Sequence, residues 1–239
     1  MKDYTSENTV PASNQWSDGR NVLTVRRNGQ KRVLFFGNSI TRHEPKPDIG
    51  WSGDWGMAAS AKEKDYVHLV LAGLEQRYGT VDWCIASGSE WERAFWQEHM
   101  PAEAYAAARD FDADIVIIRV GENILREDYN AHDFRSAAER IVRYLAPSTD
   151  AKVVVTDPFW FNAAMSEDFR VIAERNGYWF CPIGDLSRDE SNMAIGKFEH
   201  RGVSIHPGDL GMARIAGRIL TALDGANPES RPDLQGEDK

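Results

Sequence analysis

The sequence predicts an α/β protein, a three-layer α/β/α sandwich around a five-stranded parallel sheet. Short β-branched or apolar runs alternate with longer segments of helical periodicity, which is the pattern of βαβ units. A chain of 239 residues can bury one sizeable core, and no internal repeat or low-complexity tract interrupts the alternation.

The predicted strands cover residues 32–36, 81–86, 114–120, 151–156 and 178–182. Between the first two, Tyr66, Leu69, Val70, Gly73, Leu74 and Tyr78 recur at spacings of three and four, so one face of a helix is apolar. Phe134, Ala138, Ile141 and Leu145 repeat the pattern, as do Phe169, Ile172 and Ala173, and then Met212, Ile215, Ile219 and Leu223. Residues 1–30 read as a polar N-terminal extension, 31–224 as the single domain, and 225–239 as a flexible tail rich in polar residues, Pro and Gly.

The net charge of -9 arises from 28 basic and 37 acidic residues, with the basic ones scattered. Nucleic acid and anionic membranes, which reward concentrated positive charge, are therefore not expected partners. Cys84 and Cys181 lie in or beside predicted core strands and read as buried free thiols rather than a disulfide. The first thirty residues hold no stretch apolar enough for a signal peptide, and no later segment could span a bilayer. The chain is expected to be soluble and cytoplasmic as written, though a secreted or periplasmic mature form would have the same composition.

In a parallel α/β sheet, ligands bind outside the carboxyl ends of the strands, where the winding direction reverses. Four features fall there. The first predicted strand runs into Gly37-Asn38-Ser39-Ile40-Thr41, with Ser39 in the turn just past the strand end. The second runs into Ala86-Ser87-Gly88-Ser89, where a glycine lets backbone approach a substrate closely. The third ends in Val120-Gly121-Glu122-Asn123, which offers a carboxamide donor, and Ser204-Ile205-His206-Pro207 precedes the last helix. Taken singly, each reads equally as a cap, a turn residue or a surface histidine. Their order along the chain carries the information.

In that order the sequence resembles the SGNH hydrolases, also called GDSL esterases. Gly37-Asn38-Ser39 is similar to the Gly-Asp-Ser block with Asn in place of Asp, and Gly88 matches the glycine of the second block. Asn123 matches the asparagine of the third, and His206 the histidine of the Asp-x-x-His block. The resemblance spans about residues 31–223. It implies a flavodoxin-like sandwich, an ester hydrolysed through an acyl-enzyme with Ser39 as nucleophile and His206 as base, and an oxyanion hole of Ser39, Gly88 and Asn123. It implies no metal and no organic cofactor, and the sequence has no His/Cys cluster at metal-ligand spacing.

The sequence departs from the pattern at Val203, which stands where the family has the acid three residues before the histidine. That acid fixes the imidazole tautomer, and its loss from a serine triad costs on the order of ten thousand-fold. Some carbohydrate esterases of the family are understood to use a backbone carbonyl instead. Among side chains, Glu199 is the first substitute, being close enough in sequence to fold back under the ring. Asp209 is read as an N-cap of the last helix.

Tryptophan placement points to the substrate. Trp51 and Trp55 follow the first strand, Trp91 and Trp96 the second, and Phe159-Trp160-Phe161 the fourth, among Asp54, Glu90, Glu92, Arg93 and Arg126. Flat rings beside hydrogen-bonding groups suit sugars better than acyl chains. Trp51, Trp55, Trp91, Trp160 and Arg126 are thus the expected substrate contacts, unless the rings serve to pack long loops onto the body. The segment 50–57 also looks like a loop of bacterial SGNH proteins linked to carbohydrate de-esterification. The expected partner is a small-molecule or oligosaccharide ester, with acetyl the favoured acyl group. A catalytically impaired carbohydrate-binding protein on the same scaffold and a short-chain lipase or thioesterase are the alternatives. A nucleotide or flavin site is disfavoured because neither Gly-x-Gly-x-x-Gly nor a phosphate-loop Gly-Lys pair is present.

Overall fold

The computed structural model describes residues 21–225. Strands β1 (Val22–Val25), β2 (Lys31–Gly37), β3 (Val81–Ser87), β4 (Ile115–Arg119), β5 (Lys152–Thr156) and β6 (Trp179–Cys181) form one sheet in the order β1-β3-β2-β4-β5-β6. β2 to β6 are parallel, and β1 pairs antiparallel with β3. The sheet therefore has one strand more than predicted, and β1 lies inside the expected N-terminal extension. Its four residues, set between polar segments, carry too little pattern to stand out; the edge of β3 makes them a strand. Of the expected N-terminal extension (1–30) and C-terminal tail (225–239), residues 1–20 and 226–239 lie outside the described residues.

The helices are α1 (Tyr66–Tyr78), α2 (Ser89–Glu92), α3 (Met100–Ala104), α4 (Ala106–Asp110), α5 (Arg126–Ala131), α6 (Phe134–Leu145), α7 (Ala163–Asn176), α8 (Arg201–Ser204) and α9 (Asp209–Leu223). Alternation along β2 feeds two cores: Val33 and Phe35 pack toward α1 and α9, while Leu34 and Phe36 pack toward α4, α6 and α7. Side-chain caps start three helices. Asp65 accepts from the His68 amide, Asp133 from the Ser136 amide, and Asn162 from the Ala164 and Met165 amides. Gly177, at φ 68°, ends α7 in the left-handed region. Both cysteines are buried, and neither is in a disulfide. No helix among the described residues is long and apolar enough to cross a membrane.

β2 has β3 on one side and β4 on the other, so the winding reverses beside it and a crevice opens at the carboxyl ends. Register pairs Gly37 with Ser87 and with Arg119, which aligns the loops that follow. Gly37 permits the tight turn into Ser39, because a Cβ there would lie 1.9 Å from Thr41 Oγ1 and 2.9 Å from the Arg119 carbonyl. Gly37→Ala is therefore expected to lower unfolding stability by about 1–3 kcal/mol in a denaturant titration, the usual cost of overpacking. An unchanged midpoint would contradict the close approach.

Candidate active site

The turn after β2 is closed by the Thr41 and Arg42 amides, which both donate to the Asn38 carbonyl at 2.8 and 3.1 Å. It leaves Ser39 half-buried at the crevice. The Met57 amide donates to the Ser39 carbonyl at 2.9 Å, tying the following loop to the turn. Across 167 residues of sequence, Ser39 Oγ lies 2.9 Å from His206 Nε2.

His206 Nδ1 lies 2.6 Å from the Gly202 carbonyl oxygen. A carbonyl only accepts, so Nδ1 carries the ring hydrogen and Nε2 presents its lone pair to the Ser39 hydroxyl. The backbone of α8 explains why this acceptor is available. The amide of His206, which a continuing helix would send to Gly202, instead donates to the Val203 carbonyl at 3.0 Å. Burial pushes the imidazole down to about 4, although the Gly202 bond opposes the shift. The ring is therefore neutral, and a competent base, through the ordinary pH range.

Glu199 does not orient the imidazole as expected. Its side chain is exposed, and the ring hydrogen is taken by the Gly202 carbonyl. Val203 is fully buried against Trp51, Met57, Ala58 and Ala194, so the position holding the acid in the family pattern faces an apolar cluster here. Asp209 is not the N-cap of α9 but its first residue. Its carboxylate accepts from the Ser60 amide at 2.8 Å and from Lys64 at 2.9 Å.

Beneath the turn lies a buried polar layer that the sequence did not announce. Asn38 Nδ2 donates to Glu92 Oε1 at 2.9 Å and to Glu122 Oε2 at 2.6 Å. The Asn38 side-chain oxygen Oδ1 accepts from Arg119, which also donates to Glu122 Oε1 at 2.6 Å. Arg119 and Glu92 are both 0% exposed, so each charge depends on these partners. Burial and the adjacent Glu122 carboxylate push Glu92 up from the ordinary carboxylate range, while its Asn123, Gly121 and Asn38 donors pull it down.

Of the expected oxyanion donors, Gly88 is already committed: its amide donates to the Gly37 carbonyl at 2.7 Å, extending the β2–β3 ladder by one bond. That is a correction to the predicted hole. Asn123 gives one Nδ2 hydrogen to Glu92 at 2.6 Å and keeps the other. The Ser39 amide has no protein acceptor among the described residues.

The tryptophans largely pack loops. Trp51 is 2% exposed and donates to the His43 carbonyl at 3.0 Å, and Trp91 is 1% exposed within the core. Both are removed from the expected substrate contacts by burial. Half-buried Trp55 donates to the Ala59 carbonyl and meets Trp51 edge-on. Trp160 does reach the site, with its ring edge-to-face on His206 at 5.0 Å. Arg126 is exposed at the start of α5 and is not among the residues lining the cleft beside Ser39. That cleft, of about 730 Å³, is lined mostly by polar residues, among them Asn21, Arg42, Ser87, Ser89 and Arg93, although the surface they expose is about equally polar and apolar. Among the described residues no cluster of three or more His, Cys, Asp or Glu could hold a metal ion.

No protein-family model matches the chain, and no curated protein is significantly similar to it in sequence. Solved structures share its architecture. A two-domain esterase (CEX) active on acetylated mannans aligns with TM-score 0.54 at 20% identity, over 85% of this chain and 51% of that one. A variant of Axe2, an acetyl xylan esterase from Geobacillus stearothermophilus, aligns with TM-score 0.50 at 16% identity over 82% of this chain and 95% of that one. A protein classed as a GDSL-like lipase from Parabacteroides merdae aligns with TM-score 0.51 at 15% identity over 82% and 96%. The chain has the fold of the SGNH, or GDSL, hydrolases.

Two outcomes follow from the imidazole. Because folding lowers its pKa from 6.5 to about 4, the unfolded chain holds a proton between those values that the native fold excludes. The stability due to neutral His206 is complete above pH 6.5 and is lost as pH falls toward 4. The acid limb of a kcat/KM profile is likewise expected near pH 4, and a limb near 6.5 would contradict the buried neutral base. Val203→Asp restores the residue type of the family pattern, yet puts a carboxylate in an apolar cluster. Thermal or urea unfolding should show a loss on the order of 3 kcal/mol or more with no gain in activity; a faster, equally stable variant would refute this placement.

Proposed function

We propose that the chain is a serine esterase of the SGNH family that removes a short acyl group, acetyl, from a carbohydrate through an acyl-enzyme. The observation that carries this reading is the line from Ser39 Oγ through His206 to the Gly202 carbonyl, with spacings of 2.9 and 2.6 Å. His206 Nε2 takes the Ser39 proton as Oγ attacks the ester carbonyl carbon. The tetrahedral intermediate collapses, the imidazolium returns the proton to the leaving alcohol, and the acyl group stays on Ser39. Water repeats the sequence, giving its proton to His206 and releasing the acid. The Ser39 amide and the second Nδ2 hydrogen of Asn123 are the donors for the oxyanion.

The substrate class rests on the cleft. Its hydroxyl, amide and charged groups suit a hydroxyl-rich alcohol, and no continuous apolar groove among its lining residues would hold a long acyl chain. Two structural neighbours, named for acetyl xylan and acetylated mannans, support the same class. Val203 no longer argues for an impaired binding protein, because the imidazole hydrogen has an acceptor without it.

Wild type should hydrolyse p-nitrophenyl acetate and release acetate from acetylated sugars, with Ser39→Ala reducing kcat by about a thousand-fold or more. Turnover surviving Ser39→Ala would exclude the nucleophile. A preference for octanoyl over acetyl esters would exclude the sugar reading and leave the esterase.

A further inference from the structure

Glu92 belongs to none of the sequence blocks that carry the hydrolase resemblance, yet two segments of the site, the turn at Asn38 and the loop at Gly121 and Asn123, converge on it. It is the last residue of α2, and its carboxylate is fully buried. Oε1 accepts from the Gly121 amide at 2.6 Å, the Asn38 carboxamide at 2.9 Å and, more weakly, the Asn123 amide at 3.4 Å. Oε2 accepts from Asn123 Nδ2 at 2.6 Å. Every partner is a donor, so the rotation of the Asn123 carboxamide is set by an acceptor that cannot turn away without stranding several buried N–H groups.

A carboxylate near a developing oxyanion would repel it, so charge stabilisation is not what Glu92 contributes. Orientation is. We propose, resting on the esterase reading above for its catalytic consequence, that Glu92 is a positioning residue that holds Asn123 with one Nδ2 hydrogen aimed at the oxyanion and locks the Asn123 loop to the nucleophile turn through Asn38. The residue at position 38 fits this role. The aspartate of the family pattern would face both Glu92 and Glu122, whereas the Asn38 amide donates to both.

Glu92→Gln keeps the volume but points an NH₂ at a donor, breaking part of the cluster. With p-nitrophenyl acetate it is expected to lower kcat by about 10- to 100-fold with KM within about three-fold. In an Asn123→Ala background the same change should move kcat by less than about three-fold, because the residue it acts through is gone. A loss of equal size in both backgrounds, or an unchanged kcat in the wild-type background, overturns the proposal. Glu92→Asp, which keeps the charge and withdraws the carboxyl, carries the same expectations if Glu92→Gln does not fold.

A readout independent of turnover is the Asn123 side-chain amide pair in a ¹⁵N–¹H spectrum, identified by its loss in Asn123→Ala. It should shift and exchange faster with water in the Glu92 variants, and unmoved signals overturn the proposal even in a chain without activity. Absence of wild-type turnover, or its survival in Ser39→Ala, would instead count against the esterase reading alone.

Discussion

A neutral imidazole has one N–H and one lone pair, and a base must keep the lone pair on the side of its nucleophile. Here the choice is made by a backbone oxygen: the Gly202 carbonyl takes the His206 Nδ1 hydrogen at 2.6 Å, and Nε2 is left facing Ser39. A carboxylate in that place would orient the ring and also stabilise the imidazolium, whereas a carbonyl mainly orients. The charged form of the imidazole is thus poorly favoured, as burial against the edge-on Trp160 ring also dictates. In the proposed mechanism such a base stays ready at acidic pH and holds its proton weakly once it has it.

Contacts of α8 and of the segment after it hold this geometry. Buried Val203 anchors the short helix in the cluster with Trp51, while the His206 carbonyl accepts from the Ala194 amide at 2.9 Å. Gly208 donates to the Asn192 carbonyl at 2.9 Å, holding the segment after His206. On the other side of the crevice, the Arg119, Glu122, Glu92 and Asn38 layer fixes the nucleophile turn from below. Buried ions are costly unless fully paired, so this layer defines one arrangement of three strand ends rather than adding much stability.

The sheet and its main helices were legible because their signal is periodic and local. Five strands and the four long helices fall close to the predicted runs, and β1 was missed because four residues between polar segments have no period to read. The meeting of Ser39 and His206, 2.9 Å apart, was legible from the order of their blocks, one past a strand end and the other before the last helix. The Gly202 carbonyl was not, since a backbone atom leaves no mark on the sequence, whereas Glu199 is a nearby side chain with the right chemistry in the wrong place. Glu92 reads in the sequence as one of the hydrogen-bonding groups beside the tryptophans, and Arg119 carries no signal at all; their places in a buried layer come from packing that only the assembled fold creates. The tryptophans mislead for the same reason, as loop proximity in sequence does not distinguish Trp160, which meets His206, from Trp91, which fills the core.

The tautomer of His206 is the sharpest check on this arrangement of backbone, imidazole and hydroxyl. A ¹⁵N NMR spectrum of histidine-labelled protein at pH 6, assigned with His206→Gln, should show a protonated Nδ1 and an unprotonated Nε2. A ring protonated at Nε2, or at both nitrogens, would contradict it.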